Sequence, residues 1–400
     1  MESLCIQCKG KGLCGKPCKI LARFIDKAPK VKLHFSGSSP PEIFVGRNDY
    51  PNVFSGILSP PEKGETSIFS SPEEWYKKKL SIEQILDFRG QLIYGRKKSH
   101  IKSQESMKKV IQEIALASKP VSTEFFLKKQ PTMDFNSSKM FTIMMNSAPV
   151  EKVILEENPF VNKKVDYIVS DYNAKSVTAI NELYKSKILV SHLQKLLSAG
   201  LLGLKTQRKM VPTRWAITAV DDIISKELLK KIRFYPEINE ILVFNSEYNG
   251  NHYEILLLPD KFSFEVIEAE IPGNVWNPTM NLSFMKDYES FYGRKNYAES
   301  VTGAYYANRL AVCEFFEKVK KQASVLVLRE VRPEYYAPLG VGILREVSRD
   351  AFNKAPERAE SLEDAFRIMQ SRMKIDINKF REISELLKNY GKQKRLNNWV

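Results

Sequence analysis

Residues 176–218 read SVTAINELYKSKILVSHLQKLLSAGLLGLKTQRKMVPTRWAIT, and this stretch decides the fold. Val177, Ile180, Leu183 and Tyr184 recur at helical spacing; Leu189, Leu193, Leu196 and Leu197 do so again after a short break. Gly200 stops the second helix. LLGLKT and VPTRWAIT then read as two strands bridged by the basic turn QRKM. Helix, turn, helix, glycine and hairpin follow the order of a winged helix over residues 174–219. Its second helix would enter a groove, and its wing would bring Lys205, Arg208 and Lys209 to phosphates. The same order also describes a helical hairpin packed on a sheet inside a larger domain.

Upstream, residues 72–118 read as helical. Ser71 is an N-cap, Pro72 opens the helix, and Glu73 and Glu74 lie in the first turn. Before them, SGSSPPEIFVGRNDYPNVFSGILSPPEKGE reads as short strands and tight turns. Within it, Arg47 follows Gly46, where a strand ends or a phosphate is approached closely.

Downstream, Thr213, Arg214 and Thr218 can donate hydrogen bonds, and Asp221 and Asp222 can accept them. The segment reads either as a site or as a strand-to-helix junction with Asp221 capping DDIISKELLKKI. EILVFNSEY, HYEILLLP and FSFEVIEAEIP read as an antiparallel meander, with Asn249-Gly250 turning the first hairpin. Glu268 and Glu270 share one strand face, as paired carboxylates for acid–base or metal chemistry or as the wet side of an edge strand. From residue 299 a long helix begins. Thr302 and Gly303 at its start, with Arg309, either hold an anion or are ordinary capping. SVLVLREV is a buried strand, and a last amphipathic helix ends at Gly391.

Four of the five cysteines lie in the first 18 residues. Cys5, Cys8, Cys14 and Cys18 are spaced C-x2-C-x5-C-x3-C, which suits one tetrahedral metal ion. Zinc is the expected occupant, with an iron–sulfur cluster or a redox thiol pair as the alternatives. Four protein ligands close the shell, so the expected role is structural, with the metal supplying folding energy to a segment poor in apolar residues. The fold class expected is α+β. It comprises a zinc knuckle (1–22), a mixed body (23–295) with an antiparallel sheet, a C-terminal helical region (296–390) and a flexible tail (391–400).

The net charge of +15, from 62 basic and 47 acidic residues, favours acidic partners such as DNA. No apolar run approaches the roughly 20 residues of a membrane span, and the first residues have no signal-peptide core, so the chain reads as cytoplasmic. There is no Walker loop or GxGxxG, and no histidine is spaced to a cysteine or serine as a catalytic pair.

Val211–Asp222 (VPTRWAITAVDD), GAYYANRLAV (303–312) and YYAPLGVGILRE (335–346), together with the four-cysteine start, resemble the archaeal Nre family in its NreA branch. The resemblance runs over nearly the whole chain and implies a role in DNA repair. It also implies that the tail docks on the PCNA sliding clamp, whose ligand peptides follow Q-x-x-aliphatic-x-x-aromatic-aromatic. Gln393, Leu396 and Trp399 match, and Val400 stands where the second aromatic usually does. In a short tight helix Leu396, Trp399 and its neighbour face one apolar pocket, and Gln393 makes hydrogen bonds in a separate small pocket. Three functions follow: a repair factor tethered to the clamp whose basic body binds DNA or a nucleotide, an enzyme of phosphate-ester or glycosidic chemistry on a nucleotide or nucleic acid, and a non-catalytic scaffold. The enzyme would use Asp221, Asp222, Glu268 and Glu270 as carboxylates, with Arg47, Arg214 and Arg309 on phosphate.

Overall fold

Two mixed sheets organise the chain. A computed structural model describes residues 18–136, 140–277 and 279–391. The chain divides into two units. The first holds the described residues up to Ile224 with Ala337–Ile343, and the second holds Ser225–Tyr336 with residues from Leu344 onward.

The first unit contains, in order, α1 (Lys19–Lys27), β1 (His34–Ser39), β2 (Ile43–Val45), β3 (Asn52–Ser59), α2 (Pro72–Lys77), α3 (Ile82–Gly90), β4 (Ile93–His100) and α4 (Ser106–Leu116). It continues with β5 (Val121–Leu127), β6 (Thr132–Asn136), β7 (Met144–Leu155), α5 (Lys163–Ser170), α6 (Ser176–Lys185), α7 (Val190–Ser198) and the start of α8 (Thr213–Ile232). Its sheet runs β1-β5-β7-β4-β3-β2, with β6 also on β7. β4 and β7 are parallel, and the other pairs are antiparallel. β7 changes partners partway: residues up to Pro149 pair with β4 and β6, and those from Val150 pair with β5. Pro149, which has no N–H to donate, sits at the changeover. Ser71 caps α2 and Ser81 forms a capping box with Gln84 at α3.

α6 and α7 form where their apolar spacing places them, and Gly200 ends α7 with φ +73°. A Cβ there would lie 2.6 Å from the backbone of Lys209, so only glycine fits. The expected wing is absent among the described residues. Lys205–Gln207 form one 3-10 turn, and VPTRWAIT opens α8 instead of a strand. Pro212 O accepts the N–H of Ala216, starting the helical ladder. Buried Ala216, Ile217, Val220 and Ile224 then follow the 3.6-residue period straight through the two aspartates. Asp221 is therefore a buried mid-helix residue and not an N-cap; Gln194 Nε2 donates to it at 3.4 Å. The stretch 72–118 is also not all helix, because β4 lies between α3 and α4.

The second unit continues with β8 (Ile241–Tyr248), β9 (Asn251–Leu258), β10 (Ser263–Glu270), β11 (Ser283–Glu289), α9 (Gly303–Val319) and β12 (Ser324–Val331). After them come α10 (Val341–Ala351), whose first residues belong to the first unit, then β13 (Glu357–Ala359), α11 (Leu362–Gln370), α12 (Ile377–Ile383) and α13 (Glu385–Asn389). The sheet order is β11-β10-β12-β9-β8-β13. Asn249 and Gly250, at φ +48° and +75°, turn the β8–β9 hairpin as their residue types demand. The meander stops there: β12 inserts between β9 and β10 and runs parallel to β10. One sheet face, with Leu256, Leu258, Ile267, Leu326 and Leu328, buries Phe366, Met369, Phe380 and Leu386 from α11–α13. The C-terminal region thus contributes strands as well as helices. Among the described residues no helix is long and apolar enough to cross a membrane.

Candidate nucleic-acid interface

One corner of the first unit collects exposed aromatic rings and basic side chains. β2 leads into the loop that carries Arg47 and Tyr50, and β3 returns with Phe54. Thr213 Oγ1, in the first turn of α8, accepts the N–H of Val45 at 2.9 Å and fixes the helix start beside this loop. Trp215 thereby meets Tyr50, with ring centroids 5.1 Å apart and planes 55° to one another. Tyr50, Phe54 and Trp215 are 38, 41 and 44% exposed. On β4, Lys98 lies directly opposite Phe54 and Arg96 opposite Gly56. The Arg96 guanidinium lies 4.8 Å from the centre of the Phe54 ring, and Lys98 Nζ lies 5.8 Å from it.

Acidic groups balance part of this charge. Lys98 pairs with Asp49 at 2.7 Å, Arg96 with Asp134 at 3.2 Å, and Lys97 with Glu105. Arg47 is exposed and makes no ion pair with the described residues. Arg214 sits between Thr213 and Trp215, so Arg47 and Arg214 come to the same corner. Ile101 donates to Pro51 O and Met210 to Ile101 O, which brings Lys209 alongside. Lys102 and Lys209 line an adjoining cleft of about 400 Å3.

Arg208 has a different role from the one its basic turn suggested. Its guanidinium donates to the carbonyls of Gly203, Val169 and Asp171 at 2.8, 2.9 and 3.0 Å, which pins the turn after α7 onto the end of α5. Partial burial pushes its pKa below the usual arginine value. Lys205 is exposed on the 3-10 turn, with Tyr172 beneath it.

Arg309 is in the second unit, in α9, and is 1% exposed. It pairs with buried Glu289 at 3.0 Å and donates to Ser225 Oγ. Thr302 adopts φ +61° and makes no side-chain cap. Just before the helix, the N–H groups of Ser300 and Val301 donate to the Asp287 carboxylate. Glu268 lies opposite Arg329 on β12, forms a buried ion pair with it, and belongs to an interior strand with no wet face. Glu270 is buried on the same strand. Burial also pushes the phenol of nearby Tyr253 up.

Of the four expected metal ligands, Cys5, Cys8 and Cys14 lie outside the described residues. Cys18 caps α1: its Sγ accepts the N–H of Leu21 at 3.4 Å. A sulfur that accepts a helix N–H suits a metal thiolate, whose charge this donor offsets. Among the described residues no three histidine, cysteine or acidic side chains gather in metal-binding range. Gln393, Leu396, Trp399 and Val400 also lie outside the described residues.

The sequence reading missed Tyr50, Phe54, Arg96, Lys98 and Trp215. Strand alternation around buried Val53 and Ile57 turns Phe54 outward, and the helical period of Ala216, Ile217 and Val220 turns Trp215 outward. Both signals lie in the sequence and take their meaning from the element each residue belongs to.

No solved structure matches this chain. DNA repair protein NreB of Archaeoglobus fulgidus is 36% identical over 392 residues, 98% of each chain. DNA repair protein NreA of the same organism is 36% identical over 371 residues, 90% of this chain and 91% of the relative. DNA repair protein NreA of Haloferax volcanii is 33% identical over 359 residues, 88% of this chain and 86% of the relative. Models of the archaeal Nre N-terminal and C-terminal regions match residues 13–277 and 289–399. With this coverage, the chain belongs to the archaeal Nre family.

Proposed function

We propose that the chain is a DNA repair factor that contacts DNA through the aromatic and basic corner of its first unit. It is tethered to the PCNA sliding clamp by Gln393, Leu396, Trp399 and Val400. The observation that carries the DNA contact is the exposed Tyr50–Trp215 pair set among Arg47, Arg96 and Lys98. The repair role is supported by the names of three relatives that cover most of the chain. A zinc ion held by Cys5, Cys8, Cys14 and Cys18 would fold the first residues onto the start of α1. The enzymatic reading is weaker. Asp221 and Glu268 are buried, and Glu268 is committed to Arg329, so neither is offered to a substrate.

The DNA contact is tested by titrating the full chain against labelled DNA at several salt concentrations. Replacing Arg47, Lys98 and Lys209 together with alanine should weaken binding at least tenfold. It should also reduce the salt slope, because each lost phosphate contact removes released counterions. An unchanged slope would place DNA elsewhere.

A further inference from the structure

We infer that the corner reads unpaired bases, so that its ligand is single-stranded DNA and not continuous duplex. The inference rests on the DNA-contact reading above and specifies its ligand. Phosphate attraction alone asks only for basic side chains, and Arg47, Arg96, Lys98, Lys102 and Lys209 supply them. Three large aromatic residues left 38–44% exposed at the same place need a separate reason. In a duplex the base faces are stacked on one another and closed to a flat ring. In a single strand each base presents a face that can stack on tyrosine, phenylalanine or tryptophan.

The geometry of the corner agrees with this use. Tyr50 and Trp215 come from a loop and a helix start that are stitched together by the Val45–Thr213 hydrogen bond, so the ring pair is positioned before any ligand arrives. Phe54 is backed by Arg96, whose guanidinium steadies the ring while it pairs with Asp134. Arg47 lies on the same loop as Tyr50, where a backbone phosphate next to a stacked base would fall. Rings interleaved with cations match the alternation of base and phosphate along a single strand. An apolar protein partner would fit the rings but would leave the exposed side chains of Arg47, Lys102 and Lys209, which have no ion pair among the described residues, without an opposite charge.

The test uses the full chain and three labelled probes of about 12 nucleotides, within the usual span of a single-strand site. They are a thymidine strand, a strand of the same length with abasic sugars throughout, and a blunt duplex. The thymidine strand should bind about tenfold tighter than the abasic one, since stacking contributes per base while the phosphates are common to both. The double variant Tyr50→Ala, Trp215→Ala should remove this difference. Tyr50→Phe with Trp215→Phe should restore most of it, which separates loss of a stacking ring from damage to the fold. Equal binding of thymidine and abasic strands, a duplex bound as tightly as the thymidine strand, or a double variant that weakens both strands alike overturns the single-strand inference while the DNA contact stands. Binding to none of the three probes overturns the DNA contact itself and the inference with it.

Discussion

Glu265 in β10 accepts the hydroxyl hydrogen of Ser384 at 2.5 Å, although 119 residues separate them in the chain. The same buried carboxylate accepts the N–H groups of Glu385 and Leu386, both at 2.9 Å. It therefore caps α13 from the sheet and fixes the last helix before the tail. Glu265→Ala should cost about 3 kcal/mol, because charge-assisted bonds are lost and buried donors are left without an acceptor. Urea unfolding should show a lowered midpoint, and hydrogen exchange should show faster opening of α12 and α13 than of β12. A midpoint unchanged within error would mean that this cap contributes nothing.

Arg208 is expected to behave as a structural residue and Lys209 as a ligand-facing one, although they are adjacent. Arg208 spans three carbonyls from two segments, so Arg208→Ala should lower stability by about 2 kcal/mol and leave the salt slope of DNA binding unchanged. Lys209→Ala should do the reverse. Parallel denaturation and salt titrations of the two variants separate these outcomes. A reduced salt slope for Arg208→Ala would return it to the contact surface.

The two adjacent residues also show what was legible from sequence. α6 and α7 were readable because their leucine spacing and Gly200 are local signals. VPTRWAIT was not, since eight residues of rough alternation fit a strand and a helix equally well. Only continuation of the apolar period through Asp221 and Asp222 decides for α8. β4 was hidden because IYGRKKSH is polar and contains glycine. Gly95 is there for a long-range reason: a Cβ would come within 2.7 Å of the Phe125 ring. The insertion of β12 between β9 and β10 is likewise a non-local pairing that no window of sequence encodes. The basic–aromatic corner was half legible. Residue type alone marks Arg47 and Arg214, whereas Tyr50, Phe54 and Trp215 stand beside them only through the orientation of β3 and α8.

His192 should make stability depend on pH. Its Nε2 lies 2.9 Å from Ala115 O, and burial, helped by Lys195 nearby, pushes its pKa down to about 4. The unfolded imidazole titrates near 6.5. Between these values the unfolded chain binds a proton that the folded chain does not, so stability falls as pH drops from 6.5 toward 4. Above 6.5 this group has no effect. The loss should be on the order of 3 kcal/mol by the lower end of the window. His192→Gln keeps a donor for Ala115 and should remove this component, so that the difference in melting temperature between the two proteins narrows or reverses at pH 5. Parallel curves across the range would rule out the buried neutral histidine.

The purified chain should carry about one zinc ion, and Cys18→Ser should lower that content. Elemental analysis decides it, and an iron-containing brown protein would replace zinc by a cluster. Metal loss should unfold the first residues and loosen α1 while leaving both sheets intact, because α1 buries Ile20 and Phe24 and the sheets have separate cores.

The tail prediction follows from how firmly the chain is held just before it. α13 is capped from the sheet by Glu265, Leu386 is buried among the sheet leucines, and Gly391 follows with φ +73°, a conformation that ends a helix. Truncation after Gly391 should therefore leave the melting temperature unchanged. It should abolish binding to a trimeric sliding clamp, as should Leu396→Ala with Trp399→Ala. A tryptophan filling an apolar pocket is a typical interface anchor, and ordering the peptide offsets part of its contribution. Val400 takes the place of a second aromatic, so the affinity per site should be micromolar, on the order of −8 kcal/mol. Val400→Phe should tighten it, and calorimetry against purified clamp measures both changes. Continued binding by the truncated chain would show that the anchor lies elsewhere. A melting temperature several degrees lower on truncation would show that Trp399 packs on its own chain and is not kept for a partner.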